Sequence, residues 1–509
     1  MPIYVGSIDQ GTTSSRFLIF DQMGRLVISH QLEFDQIYPH PGWIEHDPMQ
    51  LLNSVNTCIA EALRKFGLMG YEAQDIKAIG ITNQRETTLC WDRTTGKPLH
   101  NAIVWSDVRT HETVRKLSKL SDKGVNAVKD LCGLPITTYF SAVKMRWMVD
   151  NSEIVATAVQ EGRAMFGTVD SWLIYNLTGG VHGGIHVTDV TNASRTMFMN
   201  IKTLKWDEDC LKFFNLPSDI LPNIVSSAEL YGNVSNGPLE GVPITGCLGD
   251  QQAALVGQKC FTKGEAKNTY GTGAFLLFNT GEEAVISSHG LLTTVGYQFG
   301  PTGKPTYALE GSIAVAGSAV KWIRDNLGLI NETDEIGPLA SSVEDTGGVY
   351  FVTAFSGLFA PYWRDDARGC IVGLTQYTNK RHIARATLEA SCFQTRAILD
   401  AMNADSGEDL KLLKVDGGMS NSDTCMQIQA DVLGIRVERP GMRETTALGA
   451  AIAAGFAAGV WKTFEDLKDI NTRDISVFEP VLGDEKRALR YKEWKKAVER
   501  SFGWVDVVN

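Results

Sequence analysis

Tyr4-Val5-Gly6-Ser7-Ile8, then Asp9-Gln10-Gly11-Thr12-Thr13-Ser14-Ser15, then Arg16-Phe17-Leu18-Ile19-Phe20: an apolar run, a polar turn of glycine and small hydroxyls, and a second apolar run. Asp21-Gln22-Met23-Gly24 turns the chain again. Two short apolar runs around a Gly/Thr/Ser turn predict a β-hairpin with a hydroxyl-rich tip. A similar unit stands far downstream. Lys267-Asn268-Thr269-Tyr270 precedes Gly271-Thr272-Gly273, Ala274-Phe275-Leu276-Leu277-Phe278 follows, and Asn279-Thr280-Gly281 closes it. One such unit in each half suggests an internal duplication, with a boundary near Val256 to Phe261. The expected organisation is therefore an N-terminal lobe over 1–255 and a C-terminal lobe over 256–509, each at the upper end of ordinary domain size.

Between these hairpins, helical patterns alternate with short apolar strands: Met49 to Phe66 and His382 to Met402 as helices, Ile76 to Thr82 and Leu412 to Val415 as strands. The alternation predicts an α/β architecture. The 509 residues are 43% hydrophobic and 21% charged, which suits large buried cores. A formal net charge of −11 argues against a nucleic-acid or anionic-membrane surface, so an anionic ligand needs positive potential supplied locally. Nine scattered cysteines without a C-x-x-C pair read as reduced, mostly buried thiols rather than a disulfide framework or a zinc site. Met1 leads straight into a strand-like run, so no signal peptide is expected, and the N-x-S/T matches at Asn176, Asn192, Asn233 and Asn331 carry no weight. Val507-Val508-Asn509 is not a recognisable organelle address. The expectation is a cytoplasmic protein, with an organellar one open if a terminal address has been trimmed. Thr446 to Trp461 (TALGAAIAAGFAAGVW) is apolar but shorter than the ~20 residues that span a bilayer, and its Ala and Gly content suits a buried helix.

Several segments have the makings of chemistry. In the first turn, backbone N–H groups and the hydroxyls of Thr12, Thr13 and Ser14 can converge on phosphate oxygens, Arg16 can add a charged donor, and Asp9 can approach a Mg²⁺ ion. The plain alternative is a threonine-rich hairpin tip. Gly271-Thr272-Gly273 offers the same devices, so one phosphate chain could be gripped from both lobes; neither turn is a P-loop. Ile79-Gly80-Ile81-Thr82 leads into Asn83-Gln84-Arg85-Glu86, where Arg85 and Glu86 can donate to and accept from vicinal hydroxyls, or simply form a solvated surface pair. Asp250, between small residues in Gly246 to Ala254, is either a helix cap or a base for a hydroxyl proton. Trp105, Tyr139 and Phe275 are either core or a wall against the carbon face of a polyol. In Val415-Asp416-Gly417-Gly418-Met419-Ser420-Asn421, two glycines let backbone pass close to an adenine or ribose, or make a plain turn.

Taken together, DQGTTSSR (9–16), GWIEHDP (42–48), GITNQRETT (80–88), NAIVWSDVRT (101–110), YFSAVK (139–144), GDQQAALVGQ (249–258), NTYGTGAF (268–275), GLFAPYWRDDARGCIVGL (357–374) and DGGMSN (416–421) resemble the FGGY family of carbohydrate kinases over essentially the whole chain. The resemblance implies two ribonuclease-H-like lobes of the actin, hexokinase and Hsp70 ATPase type, with ATP and Mg²⁺ in the cleft. It implies that Asp9, Thr12, Thr13, Ser14 and Arg16 form the first phosphate turn, Gly271 and Thr272 the second, and that Gly317, Lys321, Gly418 and Ser422 hold the nucleotide. It places Arg85, Glu86, Tyr139, Asp250 and Gln251 around glycerol, with Trp105 and Phe275 as apolar walls and Asp250 as catalytic base. The sequence departs from similar bacterial enzymes at Lys321, where they have Gln, and at Ser422, where they have Asn; Asn421 is the substitute candidate. Asn236 to Gly241 (NGPLEG) lacks the Arg that some bacterial relatives carry there, where the resemblance would place a surface loop for the inhibitor fructose 1,6-bisphosphate, so insensitivity to it is expected.

The implied activity is phosphorylation of glycerol by ATP to sn-glycerol 3-phosphate, in a homodimer, with no nucleic-acid partner and no stable membrane insertion. Its rivals are a kinase for another polyol or a pentulose, and a nucleotide-driven switch like the actin and Hsp70 proteins.

Overall fold

In the computed structural model the chain is described over residues 2–505, so Met1 and the terminal Val507-Val508-Asn509 lie outside the described residues. The N-terminal half builds a six-stranded sheet from β1 (Tyr4–Gln10), β2 (Ser14–Asp21), β3 (Leu26–Glu33), β4 (Ile76–Asn83), β5 (Ala228–Asn233) and β6 (Pro243–Gly249), in the spatial order β5-β6-β4-β1-β2-β3. β1, β2 and β3 form an antiparallel meander, while β4 runs parallel to both β1 and β6.

The hairpin predicted around DQGTTSSR is present, with longer strands and a tighter turn than its polarity suggested. Gln10 pairs across with Ser15, and the Ser15 hydroxyl donates to the Gln10 carbonyl at 3.0 Å. That acceptor is the side-chain amide oxygen of Gln10, so the two polar side chains satisfy each other, leaving Gly11-Thr12-Thr13 outside both strands.

The second half repeats the plan. β7 (Ala266–Tyr270), β8 (Ala274–Gly281), β9 (Leu292–Tyr297), β10 (Thr306–Ile313), β11 (Leu412–Asp416), β12 (Arg436–Arg439) and β13 (Ser476–Phe478) lie in the order β9-β10-β8-β7-β11-β12-β13. Here β7-β8-β10 is the antiparallel meander, and β11 and β12 continue parallel to β7. Each sheet thus has the same ribonuclease-H-like core, third-second-first-fourth-fifth strand, with antiparallel edge strands added. The duplication legible in two short hairpins extends to both lobes.

Six helices matter for the site: α1 (Pro48–Leu68), α2 (Asp250–Gly257), α3 (Gly317–Asp325), α4 (Lys380–Ser406), α5 (Asp423–Leu433) and α6 (Thr445–Ala457). α1 starts on the Asp47 carboxylate, which accepts the Met49 N–H, and buries Leu51, Val55, Cys58, Ala62 and Phe66 along one stripe. α6 is the Ala/Gly-rich segment, and its residues 445 and 447–455 are all buried. It follows second-sheet strands in the chain but packs on the first sheet and on α2. Its composition is dictated by backbone proximity. A Cβ on Gly80 of β4 would lie 2.1 Å from the Ala450 carbonyl oxygen, and one on Gly449 would lie 1.8 Å from that of Ala253. No described helix is long and apolar enough to cross a membrane. All nine cysteines are free thiols, and all but Cys370 are buried.

Candidate active site

Parallel strands bring Asp9, Asn83 and Gly249 to one edge of the first sheet, since Gln10 pairs with Asn83 and Asn83 with Gly249. The loop leaving β4 turns inward there. Arg85 and Glu86 are 2% and 1% exposed, which rules out a solvated surface pair. Nor do they chiefly bind each other, being 3.9 Å apart. The Arg85 guanidinium grips Glu310 of β10 with two bonds, at 2.6 and 2.8 Å. Glu86 accepts from Arg195 Nε at 2.6 Å, and Arg195 reaches Glu310 at 3.2 Å. Four buried charges thus close a ring across both lobes. Glu86 sits at φ +59°, a left-handed conformation uncommon for a non-glycine residue. The hydroxyls of Thr88 and Ser141 hold its carbonyl there, at 2.9 and 3.1 Å. Burial pushes Glu310 upward, but the guanidiniums of Arg195 and Arg85 outweigh it and hold the carboxyl at about 2. For Glu86 burial prevails over the same two cations, and its pKa rises.

Asp250 is the first residue of α2, and Gly249 occupies the N-cap position without a side-chain cap. Asp250 is thus one residue past the N-cap, with its carboxylate still at the free N–H groups of the first turn. Its carboxylate accepts from the Gln251 N–H at 2.8 Å and the Gln251 Nε2 at 3.2 Å, and lies 3.2 Å from Arg85 Nε. The side chain keeps 31% exposure, so this carboxylate remains open while its neighbours are sealed. Enclosure by protein raises its pKa, against the pull of Arg85 and Lys267. Trp105 stands edge-on to both Tyr139 (5.5 Å) and Phe275 (6.2 Å). The Trp105 indole N–H donates to the Thr12 hydroxyl at 2.9 Å, tying the aromatic wall to the first turn.

Both turns are closed by their first glycine: the Gly11 N–H donates to Ser14 O at 2.9 Å, and the Gly271 N–H to Gly273 O at 2.8 Å. Carbonyls of the second turn are held by α3, with Gly317 N–H on Gly271 O at 3.0 Å and Ser318 N–H on Thr272 O at 3.0 Å. Gly317 must be glycine, because a Cβ would sit 2.5 Å from Gly271 O. Gly417 adopts φ +84° against Tyr270, which brings the β11 end and Gly418 alongside the second turn. Arg16 is held between Asp9 and Glu444, both at 2.6 Å. Lys321 and Asn421 are exposed. Ser422 serves as the N-cap of α5, its hydroxyl accepting the Cys425 N–H at 3.2 Å. One Asp9 oxygen is taken by Arg16, and the other accepts no hydrogen bond from the described residues. A single free carboxylate oxygen suits a Mg²⁺ ion that keeps most of its waters.

Sequence reasoning found the residues at turns and missed their partners Arg195, Lys267 and Glu310. Glu310 carried a usable signal, a charge inside an otherwise apolar strand (Tyr307-Ala308-Leu309-Glu310), whereas Lys267 lies on the largely polar strand Ala266–Tyr270. Arg195 had none, lying in the polar run Asn192-Ala193-Ser194-Arg195-Thr196.

Two duplicated lobes, each with a glycine-threonine turn, together with an open carboxylate and an aromatic cluster drawn from both, define a sugar- or polyol-kinase site. Residues 4–257 match the N-terminal domain of the FGGY family of carbohydrate kinases and residues 266–458 its C-terminal domain, and the chain belongs to this family. Among its relatives are a glycerol kinase of Clavibacter michiganensis subsp. michiganensis, 56% identical and covering 99% of this chain and 98% of its own, and a glycerol kinase of Arabidopsis thaliana, 54% identical over 99% and 98%. The crystal structure of Plasmodium falciparum glycerol kinase with ADP superposes with a TM-score of 0.91 at 42% identity, covering 98% of each chain.

Proposed function

We propose that the protein transfers the γ-phosphoryl group of ATP to a terminal hydroxyl of glycerol, yielding sn-glycerol 3-phosphate and ADP. The observation that carries this reading is the Asp250 carboxylate, open to the cleft while Arg85, Glu86 and Lys267 around it are buried. Full-length similarity to glycerol kinases selects glycerol among polyols. Glycerol lies between the Arg85–Glu86 corner, Gln251 and the Trp105–Tyr139–Phe275 wall. Because Phe275 and Glu310 come from the second sheet, both lobes contribute to this pocket.

Asp250 takes the hydroxyl proton as that oxygen bonds to the γ-phosphorus and the bond to the ADP oxygen breaks. The turns Gly11-Thr12-Thr13 and Gly271-Thr272-Gly273 hold the phosphates from opposite lobes. Gly317, Gly418 and the start of α5 flank the nucleotide. Asp9 would hold Mg²⁺, directly or through water, and the ion would neutralise charge on the β- and γ-phosphates. Arg16 rests on Asp9 and Glu444 and exchanges a carboxylate for phosphate when ATP enters. Closure of the lobes excludes water as a competing acceptor.

Asp250→Asn tests the reading. ADP release with ATP and glycerol should fall about 10²–10⁴-fold, with glycerol binding retained. Turnover above about a tenth of wild type would reject Asp250 as base. ADP release by the wild type that is indifferent to glycerol would reject the kinase reading in favour of a nucleotide switch.

A further inference from the structure

Lys267 lies on β7, is 0% exposed, and touches no open surface of the cleft. Its ammonium has three donors and three acceptors around it: Gln251 Oε1 at 2.5 Å, Thr269 Oγ1 at 3.0 Å and the Phe275 carbonyl at 3.3 Å. Gln251 belongs to α2 and the other two to the β7–β8 hairpin, so the ammonium bridges the lobes directly beneath the proposed base. An ammonium can only donate. The Gln251 side chain must therefore turn its oxygen to Lys267 and its NH₂ away, and that NH₂ meets Asp250 Oδ2 at 3.2 Å.

We propose that Lys267 is a positioning residue for phosphoryl transfer: through Gln251 it orients the Asp250 carboxylate, and its buried charge keeps that carboxylate ionised and able to accept the hydroxyl proton. The inference rests on the assignment of Asp250 as base. Without the ammonium, the Gln251 amide is free to flip and present oxygen to a carboxylate, which repels it. Asp250 also loses one of the two cations that oppose the effect of its enclosure.

The charges facing Lys267 are Asp250 on α2, Asp416 at the end of β11, Arg85 in the loop after β4 and Glu310 on β10. Burial lowers the Lys267 ammonium to about 8, with the carboxylates of Asp416 and Asp250 opposing that fall. The device is thus intact at neutral pH and is lost as the ammonium deprotonates above it.

The test is the pH profile of glycerol phosphorylation for the wild type, Lys267→Met and Lys267→Arg, with Asp250→Asn in parallel. In the wild type, kcat should fall on the alkaline side at about pH 8. Lys267→Met should lose about tenfold or more in kcat at pH 7. Its acid limb should move to higher pH, and its KM for ATP should stay near wild type. Lys267→Arg, which retains the charge, should keep the acid limb and lose the alkaline one. A folded Lys267→Met enzyme with an unmoved acid limb overturns the proposal. So does a main effect on the KM for ATP, which would make Lys267 a phosphate ligand. If neither variant folds, Gln251→Met, which removes the amide that joins Lys267 to Asp250, decides: an unmoved acid limb with kcat near wild type overturns the proposal. An active Asp250→Asn enzyme would instead remove the base assignment itself, an outcome distinct from an inactive Asp250→Asn beside an unmoved Lys267→Met limb.

Discussion

Replacing Glu310 by glutamine removes the carboxylate that both guanidiniums of the buried ring hydrogen-bond. Glu310 accepts from Arg85 at 2.6 and 2.8 Å and from Arg195 at 3.2 Å, with its side chain wholly enclosed. Against the upward push of burial, these cations bring its carboxyl from an ordinary 4.5 to about 2. A difference of that size corresponds to about 3 kcal/mol of stabilisation, at 1.36 kcal/mol per pKa unit. The figure falls at the lower edge of the 3–5 kcal/mol typical of breaking a buried pair, as befits glutamine, which keeps one acceptor. The folded-state pKa lies below the unfolded one, so the stabilisation is complete above about pH 4.5 and is lost as the pH falls toward about 2. Thermal unfolding followed by circular dichroism should show Glu310→Gln melting roughly 3–6 °C below wild type at pH 7, the range set by whether the two lobes melt together or singly. That gap should stay constant down to about pH 5 and narrow below it. The raised carboxylate of Asp250 is common to both proteins and cancels to first order in the difference. A gap under about 1 kcal/mol at neutral pH, or one that widens on acidification, would refute the view that Glu310 is stabilised by Arg85 and Arg195.

Three further outcomes follow from the same geometry. Arg85→Ala should raise the KM for glycerol by roughly 10–150-fold while leaving that for ATP nearly unchanged, the cost of one charged donor; equal effects on both would mean that Arg85 braces the cleft or meets phosphate. Gly80→Ala places a methyl 2.1 Å from the Ala450 carbonyl oxygen, so it should destabilise the protein by about 1–3 kcal/mol or more, read as a lowered melting temperature; an unchanged melt would show that α6 can move off the sheet freely. Millimolar fructose 1,6-bisphosphate should leave activity unchanged, because Asn236 to Gly241 has no basic side chain and Glu240 repels a polyanion; saturable inhibition, non-competitive with glycerol and ATP, would reveal a binding loop elsewhere.

The sequence by itself determined the features that depend on local chain chemistry. Small-residue turns between apolar runs announce a hairpin wherever they occur, and finding the unit twice, with helices and strands alternating between, was enough for two α/β lobes. The Ala/Gly run of α6 declared a helix against which other backbone must pack closely, since no larger side chain fits there. Asp9, Arg85, Asp250, Gly271 and Gly417 stood out because polar or glycine residues at strand ends are where such sheets expose their chemistry. Tertiary structure decided what each of these residues meets. Arg85 and Glu86 are neighbours in the chain, and nothing local says that they turn away from each other to Glu310 and Arg195, 225 and 109 residues distant. Lys267 near the start of a strand could equally have reached water. Only the docking of β7, β8 and β9 against α2 removes that water and makes Gln251 its partner. A charge in a short motif is defined by its residue type, but its ionisation and its role depend on dielectric and on facing charges, and those exist only once the two lobes enclose the site.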